Sequence, residues 1–168
     1  MANFITLWNH HPVVKGEKYL LDTKVYTDQC AINVGAAMMR SGYDFKGYPG
    51  VKSWQKEGPK YPIRAQELAD WLATAAGKMP FKAARYKGKE IKDKAKGEDV
   101  FDTLSNKTGI IFLQNYWGPG RQGDHIDLWN GSRMTARSSW FRVATGISWE
   151  GQWTDYLQAE SVWFWAIP

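Results

Sequence analysis

At 168 residues, the chain is long enough for one well-buried core and short for two, so a single domain spanning 1–168 is expected. A lone cysteine excludes an internal disulfide or a thiolate zinc cluster as the staple of the fold. The net charge of +5 favours an anionic partner without choosing among nucleic acid, acidic protein and anionic polymer, and ten Trp, eight Tyr and seven Phe suit a packed β core or a groove lined for sugar or peptide.

Met1 to His10 shows no basic lead before a long apolar run, and no later segment approaches membrane-spanning length. A protein made in the cytoplasm without a signal peptide and without membrane insertion is therefore expected. Phe4-Ile5-Thr6-Leu7-Trp8 predicts a short helix over 4–10. His10-His11-Pro12 reads as a solvated turn with no functional role, because no third ligand stands at metal spacing. Neither a metal nor a cofactor is expected.

The stretch from Tyr26 to Arg40 predicts a helix with both ends marked: Thr27 or Asp28 caps its start, and Gly42 supplies a left-handed stop. Cys30 falls in its first turn, where unpaired N–H groups and the positive end of the dipole favour thiolate over thiol. That makes Cys30 a candidate nucleophile. The competing reading is an inert core thiol, since cysteine is among the most buried residue types.

The Gly-rich, aromatic stretch 42–60 reads as a loop, either one wall of a cleft or a cap on the core. Pro62 opens a second helix over Ile63 to Ala76, ended by Gly77. Lys78 to Lys96 is strongly basic with few large apolar residues, the composition of a mobile, solvated excursion. Phe81 and Tyr86 are its only aromatics, too few for the interleaving of charge and stacking rings, so it is not read as a nucleic-acid surface.

Asp99 to Ser105 predicts a short helix, and Ile110 to Trp117 a buried strand after Gly109. A turn-rich loop over 118–123 leads into a second strand, Asp124 to Trp129, closed by Asn130-Gly131. A third strand is expected within Met134 to Val143, a short helix or loop carrying Trp149, Trp153 and Tyr156, and a last strand over Ser161 to Ile167. Helices followed by a meander of strands give an α+β fold with a mostly antiparallel sheet.

On the second strand His125, Asp127 and Trp129 share one face and Ile126 and Leu128 the other. A cysteine at a helix start, followed much later by a histidine on a strand, is the chain order of a papain-like cysteine peptidase, its nucleophile helix packed on the sheet that carries the base. An imidazole near a thiol takes its proton and later protonates the leaving amine. A third polar group orients the imidazole: Asp127 or Asn130, less readily Asp124, Ser138 or Ser139. The Cys30 backbone N–H is the expected oxyanion donor, with Gln29 or Asp28 in support, and Trp129 is a candidate substrate contact.

Thr27-Asp28-Gln29-Cys30-Ala31-Ile32, Gly109-Ile110-Ile111-Phe112, Asp124-His125-Ile126-Asp127-Leu128-Trp129-Asn130-Gly131 and the Trp-Phe-Trp-Ala-Ile-Pro end resemble the fourth family of type VI secretion amidase effectors. The resemblance implies a papain-like cysteine amidase delivered by the type VI secretion apparatus into a rival's periplasm. There it cuts peptidoglycan stem peptides between D-glutamate and meso-diaminopimelate, and a cognate periplasmic immunity protein protects the producer. Cys30 and His125 match the family's nucleophile and base. The family also has an Asp about ten residues beyond the histidine, where this chain has Thr135, Ala136, Arg137 and Ser138, so Asp127 or Asn130 must substitute or the enzyme works as a dyad. The rival readings are a non-catalytic wall- or nucleic-acid-binding module and a Cys–His acyltransferase toxin.

Overall fold

A computed structural model describes residues 3–17, 19–136 and 156–168. The expected positions Ser138, Ser139, Trp149 and Trp153, and most of the third strand expected within 134–143, lie outside the described residues. Helix α1 spans Phe4–His10, with the Asn3 side chain accepting the Thr6 N–H at its start. Helix α2 spans Cys30–Arg40, and Gly42 beyond its end takes a φ of +87°, the left-handed stop that a side chain would resist. Pro62 packs so closely on Gly35 that a Cβ there would lie 2.6 Å from the proline ring, so the glycine inside α2 admits the next segment.

Helix α3, Ala65–Leu72, is shorter than the predicted second helix and is followed by a separate 3-10 turn at Ala75–Gly77. Strand β1, Ala84–Lys87, comes next, then the short pair β2, Lys92–Asp93, and β3, Glu98–Asp99. Much of the basic segment expected to be a mobile excursion is thus built into the fold, with β1 an edge strand. Lysine and arginine are the residues with which proteins blunt a sheet edge against association, and the Arg85 guanidinium lies 3.8 Å from the ring centre of Trp163. Helix α4, Val100–Leu104, is capped by Asp99, and β4, Gly109–Trp117, β5, Gly123–Trp129, and β6, Ser161–Ala166, complete the sheet.

The four-stranded sheet has the order β1-β6-β4-β5 and every pairing is antiparallel. The last strand enters between β1 and β4, so the strands do not form the expected meander. The α+β class with an antiparallel sheet holds. Alternation divides the sheet's side chains cleanly. Ile110, Phe112, Ile126, Leu128, Trp163 and Trp165 meet α1, α2 and α3 on one face, while Ile111, Leu113, Trp129, Val162 and Phe164 meet Ile91 and α4 on the other. Each fully buried side chain of this size contributes about 1.5–3 kcal/mol, and together they hold α2 against the free edge of β5. No helix among the described residues is long and apolar enough to cross a membrane.

Candidate active site

Packing α2 beside edge strand β5 brings the start of the helix to the middle of the strand. The backbone N–H groups of Ile126, in the middle of β5, and of Ala31 pull the Cys30 thiol toward its ionised form. Cys30 is half-buried against the helix-side core, and the residue before Ile126 is His125. The Thr27, Asp28, Tyr116, Trp117 and His125 side of this junction forms a cleft of about 300 Å³. A bulge in β4 between Leu113 and Trp117 shapes its wall: Asn115 takes a φ of +51°, and its N–H donates to Asp124 Oδ1 at 2.8 Å. Tyr156 stacks beside the His125 ring at 6.4 Å between centres and 15° between planes.

Behind His125 lies a buried carboxylate. Asp127 Oδ2 is 3.5 Å from His125 Nε2. The same carboxylate accepts the Thr135 hydroxyl at 2.8 Å and 3.0 Å, the Thr135 N–H at 3.2 Å and the Leu128 N–H at 2.7 Å. Burial alone would raise the Asp127 carboxyl, but the imidazoles of His125 and His11 and the Thr135 hydroxyl outweigh it, and the group sits below the usual carboxylate range. The carboxylate is therefore ionised at neutral pH beside the ring it faces.

Of the two orienter candidates, only Asp127 meets the histidine. The Asn130 side chain accepts the Ser132 N–H, the Ser132 hydroxyl and the Arg133 N–H, closing the turn after β5 in an Asx arrangement. Asp124 is held by Asn115 at the bulge. Thr135 occupies the position where the family resemblance implies an acid, and it binds the Asp127 carboxylate instead of replacing it.

The weaker sequence candidates separate in the same way. Gln29 anchors the loop before the helix: its amide donates to Leu21 O and Tyr26 O, and its oxygen accepts from Leu20 N and Leu21 N. The side-chain N–H groups of Gln29 are thus engaged away from the thiol. Trp129 is buried in the core and donates its indole N–H to Leu104 O, so it is not at the substrate surface. Asp28 lines the cleft and accepts the Cys30 N–H at 3.0 Å, occupying the backbone donor expected for the oxyanion.

The state of the thiol differs from the expectation. Burial pushes the Cys30 thiol well above its ordinary value and the Asp28 carboxylate pushes it further, against the opposing pull of the Ile126 and Ala31 N–H groups. Desolvation and the neighbouring acid outweigh the backbone N–H groups at the helix start. Burial and the neighbouring acid thus favour the protonated form of Cys30 at rest.

His11, read from sequence as a solvated turn, is 1% exposed, and its Nε2 lies 3.6 Å from Asp127 Oδ1. Among the described residues no group of three His, Cys, Asp or Glu side chains is arranged to hold a metal ion.

The fold is that of solved amidase effectors. Tae4 from Salmonella typhimurium, in complex with the immunity protein Tai4 from Enterobacter cloacae, matches with a TM-score of 0.65 at 15% identity, covering 100% of both chains. The Tae4–Tai4 complex from Enterobacter cloacae matches with a TM-score of 0.65 at 17% identity, covering 100% of this chain and 99% of that one. A selenomethionine variant of the Salmonella typhimurium Tae4/Tai4 system gives 0.64 at 16% identity, covering 100% and 99%. No curated protein matches the sequence. The family model described as type VI secretion system amidase effector protein 4, Tae4, matches residues 26–165, a span that takes in α2, the cleft and the sheet up to the last residue of β6, and the chain belongs to that family.

Proposed function

We propose that the chain is an antibacterial cysteine amidase that hydrolyses peptidoglycan stem peptides at the bond between γ-D-glutamate and meso-diaminopimelate. The observation that supports this reading is the junction of α2 with β5, where the N–H of Ile126, the residue after His125, acts on the Cys30 thiol and Asp127 backs the imidazole. With Nε2 turned to Asp127, Nδ1 of His125 is the ring nitrogen left to take the thiol proton. The sulfur adds to the scissile carbonyl as its proton passes to Nδ1, the imidazolium returns that proton to the leaving amine, and water then hydrolyses the Cys30 thioester with His125 as base. Asp127 holds the ring and balances its transient charge.

The resting thiol means that proton transfer accompanies attack instead of preceding it. Asp28 must also release the Cys30 N–H for that group to meet an oxyanion, and a substrate carbonyl entering the cleft competes for the same donor. Diaminopimelate carries a free ammonium beyond the scissile bond, and Asp28 on the cleft wall offers it a carboxylate. Arg133 donates to Met134 O and Thr135 O and lies over the Trp8 ring.

Delivery by a type VI secretion apparatus to the target periplasm, and a periplasmic immunity protein that covers the Cys30–His125 cleft, follow from the same reading. The net charge of +5 suits an acidic insertion from that inhibitor. The test is expression in a host lacking an inhibitor: lysis is expected when the protein is exported to the periplasm and not when it is retained in the cytoplasm. Toxicity confined to the cytoplasm would point to an intracellular target.

A further inference from the structure

Asp127 faces two imidazoles. Oδ2 receives the Thr135 N–H and faces His125 Nε2, Oδ1 receives the Leu128 N–H and faces His11 Nε2 at 3.6 Å, and the Thr135 hydroxyl is shared between the two oxygens. His11 ends helix α1 and is buried, and neither of its ring nitrogens has a hydrogen-bond partner among the described residues. A polar ring so enclosed costs stability unless it finds a partner, and the carboxylate 3.6 Å away is the acceptor within reach.

The charged and titratable groups facing His11 are Asp127, His125, Arg40 and Glu17. Arg40 and Glu17 engage each other through two 2.9 Å hydrogen bonds, so their effects on His11 oppose. Burial pushes His11 below its ordinary value, with Asp127 pulling the other way and His125 adding to the fall. A neutral His11 can donate one N–H to the carboxylate without adding a second positive charge beside His125.

We propose that His11 is a positioning residue for the amidase reaction, holding Asp127 Oδ1 through a neutral Nε2–H so that Oδ2 stays aimed at His125. The role rests on the Cys30–His125 reading above. His11 stands ahead of the family-matched segment, residues 26–165. At 3.6 Å the contact is longer than a formed hydrogen bond. Catalytic hydrogen bonds are often long in the resting enzyme and shorten in the reacting complex.

Two measurements test this. Nitrogen-15 NMR of the wild-type protein at neutral pH should show His11 as the neutral Nε2–H tautomer; the Nδ1–H tautomer or an imidazolium would overturn the proposal. Peptidoglycan digestion kinetics should show His11→Leu lowering kcat about tenfold with KM within about twofold, His11→Gln restoring most of the rate, and His11→Leu costing less than about twofold in an Asp127→Asn background. Equal losses in both backgrounds, or an active His11→Leu enzyme at the wild-type rate, would overturn it. Should His11→Leu fail to fold, the Gln variant and the tautomer still decide. A wild-type protein without amidase activity counts against the Cys30–His125 reading, and the tautomer decides on His11 independently.

Discussion

Thr135 donates its hydroxyl to Asp127 Oδ1 at 2.8 Å, and its backbone N–H meets the other oxygen of the same carboxylate at 3.2 Å. The residue ten places after the histidine thus holds, from its flank, the carboxylate that faces His125 from the histidine's own strand.

Thr135→Val keeps the shape and removes the hydroxyl, leaving a buried carboxylate short of a donor at a cost of about 1–3 kcal/mol. Thermal denaturation should show a lower Tm for Thr135→Val and a near-normal one for Thr135→Ser, with kcat following the same order. Equal behaviour of the two variants would mean that the hydroxyl does not hold Asp127.

Asp28 accepts the Cys30 N–H and raises the thiol. Asp28→Asn should therefore lower the Cys30 pKa and speed iodoacetamide alkylation several-fold near pH 7, since the thiolate is the reactive form. The wild-type thiol should alkylate slowly below neutrality and faster as the pH rises. Rapid alkylation of the wild type at pH 6, unchanged by Asp28→Asn, would show that the acid does not control the thiol.

Acid should destabilise the protein in two stages. The folded value of His11 lies below its unfolded value of about 6.5, so the unfolded chain takes up that proton first, and stability declines as the pH falls from about 6.5. Asp127 also has a depressed folded value; its contribution is full above the unfolded value of about 3.9 and is lost as the pH falls through the folded one. Tm measured from pH 7 to pH 5 should fall in the wild type and fall less in His11→Gln. Parallel curves would remove His11 from the first stage.

Much of this was legible before any coordinates. The helix from Cys30 to Arg40 announces itself by its Gly42 stop, and strict alternation along Asp124 to Trp129 puts His125 and Asp127 on one face. Asn-Gly after Trp129 already signalled a turn, and the Asn130 side chain is consumed in making it. Strand β1 was hidden by its lysine and arginine content, which marks a solvated edge as readily as a loop. His11 carried no sequence signal, because its partner comes from a strand at the far end of the chain and only the tertiary fold brings the two together. The raised thiol was missed for a related reason: burial against the core is a property of the assembled fold, whereas the helix dipole can be read from local sequence.

Digestion of purified peptidoglycan followed by mass spectrometry of the fragments tests the central claim most directly. The wild-type protein should release muropeptides that end at D-glutamate together with fragments bearing a new free amine on diaminopimelate, without loss of sugar mass. Cys30→Ala and His125→Ala should each abolish that release while leaving the fold intact, and the double variant should be no worse, because the two act as one unit. Release that persists in Cys30→Ala, or fragments cut only at D-alanine or within the glycan, would contradict the account.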